Sequence, residues 1–333
     1  MARGGIKKLS QDYPTTVFLE LSRPCNLRCK QCLIHTFQNY NNELNQIERA
    51  SLIEQVSLWK AKPRIVLTGG ELFLDKERLY NTAIIARNLS VPLTMNTNGT
   101  LIKESDINRL PTSGIQTIVV SIDSDLESVH DELRGVKGTF RRASKTVREL
   151  SKARDIYEAD FSILTSTILG SHNIERINEM VDYFQGIGAD SMLFQAIQPT
   201  FGDEYRADWW KTSSLFPKDQ NQIDRAIDLL EHLKRDGRPL FQTIEQLEDM
   251  RDYFHNPDFL FPSRCGSADR NLMIESDGNV SLCFHMDRIG LRPIGNVRVS
   301  SLIDIYNSSN AGLAREKMHK CLLGCGTMIC HAR

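Results

Sequence analysis

Cys25, Cys29 and Cys32 stand at the spacing C-x-x-x-C-x-x-C, directly after the apolar and β-branched run Thr16–Leu21. Three thiolates on one tight loop can hold three corners of a cubic four-iron cluster. The fourth iron is then left without a protein ligand, free to bind and reduce another molecule. Zinc is the competing metal, but structural zinc sites close four ligands from C-x-x-C pairs or Cys/His sets. No fourth ligand is evident, and His35 is the nearest imidazole. Disulfides compete as well. Against them stands the polar, basic start Met1–Lys8, which lacks an apolar signal segment and points to a reducing cytoplasm.

Three further segments place chemistry at strand ends: Ile65-Val-Leu-Thr-Gly-Gly-Glu71, Met95-Asn-Thr-Asn-Gly99 and Ile118-Val-Val-Ser-Ile-Asp-Ser124. Each is a short β-branched run closing in small or polar residues. Together with the cysteine triplet they resemble the radical S-adenosylmethionine (SAM) enzymes, in the branch that carries a C-terminal SPASM or twitch iron–sulfur extension. The resemblance runs from about Thr15 to the end of the chain.

That family binds SAM to the open iron through its amino and carboxylate groups, so the loop after the second strand needs close backbone approach and an acceptor for an ammonium. Gly69, Gly70 and Glu71 are expected to supply both, although such a run taken singly is an ordinary turn. Asn98, Ser121 and Asp123 are expected on the same rim, against ribose hydroxyls and the SAM carboxylate. The bland alternatives are a turn at Asn98-Gly99 and a helix N-cap at Asp123. Arg134, in His130-Asp-Glu-Leu-Arg-Gly135, matches the family's arginine that approaches the SAM carboxylate; its alternative is a solvated helix end. The residue before the third cysteine is usually aromatic in the family and is Gln31 here, so polar stacking or a backbone contact would have to serve adenine.

These residues need a scaffold that brings strand ends together. Runs with strand character at 16–21, 64–67, 91–96, 117–122, 159–167 and 191–196 alternate with helical stretches near 46–60, 76–88, 104–110, 126–133, 140–153 and 174–185. Six β/α repeats imply an α/β fold, a parallel sheet with helices outside, and an open partial barrel with reactive loops at the C-terminal strand edge. The expected layout is a tail over 1–14, the barrel over 15–198, a linker with helices over 199–260 and an accessory-cluster domain over 261–333. Residues 199–217 hold Phe201, Tyr205, Trp209, Trp210 and Phe216, and read as a lid or as a packed bridge between lobes. Two amphipathic helices are expected near 219–235 and 244–254.

In the last domain, Asp277-Gly278-Asn279 signals a hairpin that brings Cys265 and Cys283 together across a small ribbon. Gly278 followed by a cysteine after four residues matches the family's accessory-cluster signature, which Ile294–Val297, a helix near 301–307, Cys321, Cys325 and Cys330 complete. Five cysteines remain where two closed clusters would use seven, which implies one auxiliary 4Fe–4S cluster. It would take Cys265, Cys283 and two of Cys321, Cys325 and Cys330. The fifth is then a free thiol, an alternative ligand or a hydrogen-atom donor, and zinc remains the competing metal.

Composition adds exclusions. A formal net charge of -1 gives no basic field for nucleic acid, and the basic segment 134–154 reads as a solvated helix face. No apolar run approaches the roughly 20 residues of a membrane span. The resemblance implies reduction by a flavodoxin- or ferredoxin-type partner, SAM cleavage to a 5′-deoxyadenosyl radical and hydrogen abstraction from a substrate carbon. The leading expectation is net oxidation of a small polar metabolite such as an aminosugar or cyclitol. Modification of a ribosomally made peptide is the alternative, disfavoured by the short stretch before the first strand, which leaves no room for a peptide-recognition domain. An electron carrier or iron–sulfur sensor is a third class. Gln195, Gln198, Thr167 and His285 are polar candidates for the lumen.

Overall fold

The computed structural model describes residues 13–36, 42–202, 204, 206–258, 265–321, 323–327 and 330. The tail over 1–12, Tyr205, and the run Pro262–Arg264 before Cys265 lie outside the described residues. Six parallel strands form the partial barrel: β1 (Thr16–Ser22), β2 (Arg64–Gly69), β3 (Leu93–Thr97), β4 (Thr117–Ser121), β5 (Ser162–Leu169) and β6 (Ser191–Ala196). Each is followed by a helical crossover, so the sheet order β6-β5-β4-β3-β2-β1 repeats chain order. That is the open α/β barrel read from the repeats.

The sheet does not stop at β1. Its other edge pairs in parallel with β7 (Asn271–Ile274), and β8 (Asn279–Ser281) and β9 (Gly295–Asn296) continue antiparallel. The expected hairpin at Asp277-Gly278-Asn279 is present, with Gly278 at φ 88°. The expected separate ribbon is not: one strand of the hairpin joins the barrel sheet. Periodicity could not reveal this, because pairing partners are set by the open edge of β1 and not by the local run. An ionic tie secures the junction. Arg23 bridges Glu20 and Glu275, each at 3.0 Å, and Arg78 pairs with Glu43.

Strand parity decides what faces the lumen. Val17, Leu19 and Leu21 of β1 are buried toward the helices, as are Ile65 and Leu67 of β2 and Ile163 of β5. Thr16 and Phe18 of β1, Val66 and Thr68 of β2, and Leu164 and Ser166 of β5 line one cavity of about 880 Å³. Thr167 falls on the helix side, where its hydroxyl donates to the Ile122 carbonyl at 2.5 Å. It is therefore no lumen residue, contrary to expectation: the strand was expected to end at 167 and instead runs on to Leu169, leaving Ser166 on the lumenal phase.

In the segment after β6, Trp209 and Trp210 pack on Phe216 at 5.5 and 6.0 Å between ring centres, and Phe216 packs in turn on Tyr253 and Phe254. Through Phe216 the tryptophans thus bridge to the helix Ile244–His255. Phe201, by contrast, lines the lumen.

Candidate active site

Backbone contacts from three sides hold the cysteine loop after β1. The Gly70 and Glu71 amides donate to the carbonyls of Ser22 and Pro24, both at 2.9 Å. The end of the helix Glu127–Arg134 accepts from the amides of Arg28 and Lys30 at 3.1 and 2.9 Å. Phe201 exchanges two bonds with the third cysteine's neighbours: Leu33 donates to it at 2.8 Å, and it donates to Gln31 at 3.1 Å. Contact this close explains the glycine pair. A Cβ on Gly70 would lie 1.9 Å from the Pro24 carbonyl oxygen, and Gly69 sits at φ 138° against Ser22.

Cys25, Cys29 and Cys32 all face the 880 Å³ cavity, beside Gly69, Gly70, Asn98, Ser121 and Arg134. Burial raises all three thiols, Cys25 to about 11, so a bare loop carries neutral thiols and a metal must displace protons. Arg134 reaches Cys29 Sγ at 4.0 Å and ion-pairs with Asp123 at 2.7 Å. Its side chain is only 11% exposed, so the solvated alternative for this arginine falls away.

Two sequence expectations need correction. Glu71 is not on the lumen wall. Its carboxylate accepts from the Thr97 hydroxyl at 2.7 Å and from the Phe73 and Asn98 amides at 3.1 and 2.8 Å, clasping the ends of β2 and β3 together. Asp123 is wholly buried behind the wall, where it balances Arg134 and accepts from the Ile168 amide at 3.0 Å. It caps no helix either, since the next one begins at Glu127 with Leu126 before it.

Asn98 is both a turn residue and a rim residue. Its Oδ1 accepts from the Thr100 amide at 2.9 Å, Gly99 follows at φ 71°, and its amide group donates to Asn26 in the cysteine loop at 2.9 Å. Asn26 has no motif value in the sequence, yet it also donates to the Thr100 hydroxyl at 2.9 Å and so ties loop to turn. His35 lies in a short 3-10 turn outside the cavity wall, and Gln31 lines the cavity.

Cys265, Cys283, Cys321, Cys325 and Cys330 line a second cavity of about 100 Å³. All eight cysteines are free thiols. Among the described residues, no three His, Cys, Asp or Glu side chains converge tightly enough for a single metal ion. Burial drives Cys330 up to about 12 and Cys283 well above its usual range.

The two cavities share a wall. Phe284, His285, Thr327 and Cys330 border both. His285 Nε2 meets Gln198 Oε1 at 2.9 Å, and the Thr327 hydroxyl donates to the same oxygen at 3.0 Å. Burial pulls the His285 imidazole down to about 4, so the wall carries it neutral. Gln195 and Gln198 both face the larger cavity.

Comparison with known proteins fits this geometry. Residues 19–184 match the radical SAM superfamily, and residues 265–326 match the SPASM iron–sulfur cluster-binding domain. The chain belongs to the radical SAM superfamily. Its cofactors are SAM and 4Fe–4S clusters, and a SPASM domain follows its barrel. It is 30% identical over 193 residues to an AdoMet-dependent heme synthase of Methanosarcina barkeri, covering 57% of this chain and 53% of that protein. It is 27% identical over 297 residues to the sporulation killing factor maturation protein SkfB of Bacillus subtilis, covering 89% of this chain and 66% of that protein. The chain thus spans between half and two thirds of these relatives. SuiB of Streptococcus suis, solved with S-adenosylmethionine, shares the fold at a TM-score of 0.68 and 16% identity, over 91% of this chain and 68% of that one. Among the described residues no helix is long and apolar enough to cross a membrane.

Proposed function

We propose that this radical SAM enzyme carries out a net two-electron oxidation of a substrate held in its barrel, with residues 15–198 as the catalytic barrel and 261–333 as the accessory lobe. When bound, SAM on the first cluster supplies a 5′-deoxyadenosyl radical, and the auxiliary cluster supplies a one-electron acceptor. Cys25, Cys29 and Cys32 hold the first cluster, with Gly69 and Gly70 presenting backbone to SAM. Arg134, held in place by Asp123, faces the SAM carboxylate. Asn98 and Ser121 serve its polar groups from the rim. Cys265 and Cys283, with two of Cys321, Cys325 and Cys330, hold the auxiliary cluster. A flavodoxin- or ferredoxin-type protein supplies the starting electron.

The observation that carries this reading is the shared wall of Phe284, His285, Thr327 and Cys330. A substrate carbon held against that wall would lie one residue's thickness from the cysteine-lined cavity, within reach of an acceptor there. The electron balance follows. The carbon loses one hydrogen atom to the adenosyl group, then one electron to the acceptor, and one proton leaves from the substrate.

For the substrate we take a peptide over an aminosugar or cyclitol. The support is the likeness to the sporulation killing factor maturation protein, which extends over 89% of the chain and so includes the accessory lobe. A thioether cross-link has the required balance, since one C–H and one S–H are lost together. The small-metabolite reading keeps one support: about 880 Å³ is the volume of an ordinary small-molecule site.

Anaerobic reconstitution tests the proposal. The expected result is 5′-deoxyadenosine together with a product lighter than substrate by two hydrogens. A product of unchanged mass, or none of the adenosyl fragment, would overturn it.

A further inference from the structure

Among the described residues, the wall of the 880 Å³ lumen holds no aspartate or glutamate and three arginines, Arg64, Arg134 and Arg288. Arg134 is already balanced by Asp123 behind the wall, and it stands at the cysteine end. Arg64 stands at the opposite end, as the first residue of β2. Gly69 lies five residue steps further along the strand, about 16 Å at the rise of an extended chain.

Arg64 is exposed at the mouth, yet its guanidinium turns inward across the sheet. It donates to the hydroxyls of Thr94 on β3 at 3.1 Å and Thr117 on β4 at 3.3 Å. It has no carboxylate partner among the described residues. The strand starts around it are polar: Thr16, Ser162, Ser191 and Asn271 face the same end of the cavity. Midway along the lumen the wall is apolar, built from Phe18, Val66, Val119, Leu164 and Leu193. At the cysteine end it turns polar again, with Thr68, Asn96, Ser121, Ser166 and Gln195.

A cation with no carboxylate partner among the described residues, set among hydroxyls at the end of a channel whose described wall holds no acid, is a site for an anion. Because the wall between the two polar ends is apolar, a ligand that spans them is best matched when it is apolar in its middle. We infer that the lower end of the barrel is a carboxylate subsite, in which Arg64 anchors the acidic end of an extended substrate whose other end lies at the cysteine loop. This rests on the barrel being the substrate site proposed above, and it makes Arg64 a specificity-determining residue. At about 3.3–3.6 Å per extended residue, the reacting carbon of a peptide would lie about three or four residues from that carboxylate, once room for SAM is allowed. Peptide and fatty-acyl carboxylates share the chemistry, and the experiment separates them.

Titration calorimetry on reconstituted, SAM-bound protein would compare decanoate with decanol, and N-acetyl-trileucine with its C-terminal amide. The expected result is that the acid of at least one pair binds about tenfold or more tighter than its neutral partner, and the pair that responds names the source. Arg64→Gln is expected to abolish that preference and Arg64→Lys to keep part of it. Equal affinities within both pairs, no binding by either acid, or a preference that survives Arg64→Gln would overturn the inference. The wild-type comparison needs no variant, so a misfolded substitution cannot mask the answer. Production of 5′-deoxyadenosine by wild-type protein tests the radical reading separately, so either can fail alone.

Discussion

Asp123 and His130 show how a site is built from residues that never touch it. Asp123 is fully buried and its charge is met by Arg134 at 2.7 Å. Replacing one member of a buried pair leaves the other uncompensated, so Asp123→Asn should lower unfolding free energy by about 3–5 kcal/mol, measured by urea denaturation. His130 accepts from the Asp123 amide through Nδ1 at 3.1 Å, and burial pulls its pKa down to about 4. Its folded value thus lies below the unfolded value near 6.5, and the neutral ring favours the fold. That contribution is complete above about pH 6.5 and declines as the pH falls to about 4, by up to about 3 kcal/mol. Urea unfolding across that window should show a shallower loss in His130→Gln than in wild type. At this scale the sequence was legible for the cysteines and for Arg134, because spacing and charge are written locally. It was not legible for Glu71, Asp123 or Thr167. Which way a strand-end side chain points depends on half a pleat, and the strand limits were off by one or two residues at those ends.

At the scale of elements, the turn Gly69-Gly70 and the cysteine loop form one object, with neither rigid alone. A side chain on Gly70 would meet the Pro24 carbonyl, which is backbone and cannot move aside cheaply. Gly70→Ala should therefore displace the loop, and reconstituted protein should lose most of the iron assigned to the first cluster while keeping the second. Iron and sulfide analysis, beside a variant lacking the C-terminal cysteines, would check it. The six β/α repeats were readable because each strand and helix carries its own period. The junction of β7 with β1 was not, since it is a contact across some 250 residues that no local pattern encodes. The clasp by Phe201 on the cysteine loop escaped for the same reason: the segment after β6 has no periodicity, and its backbone does the work.

For the whole molecule, two cavities share one layer of side chains, and the oxidation proposed above depends on that closeness. Substituting Cys265 by Ala should uncouple the reaction, raising the ratio of 5′-deoxyadenosine to oxidised product by about tenfold. Chromatography of both products in single-turnover reactions would show it. The shared sheet carries a mechanical prediction as well. A chain ended at residue 264 would leave one edge of β1 bare and remove its ionic partner Glu275, so it should aggregate or melt well below the full protein in a thermal scan.

That same junction also orders events in time. While the chain is being made, Thr16–Ser22 can gain its β2 neighbour early, but its other flank must wait until Asn271 has left the ribosome. Closing so long a loop is slow, and a bare strand edge is a hazard while it lasts. The loop of Cys25, Cys29 and Cys32 does not share that delay: its backbone partners at Gly70, Glu71, Leu133, Arg134 and Phe201 have all been made before Asn271, so its frame can close while the sheet still waits for its last neighbour.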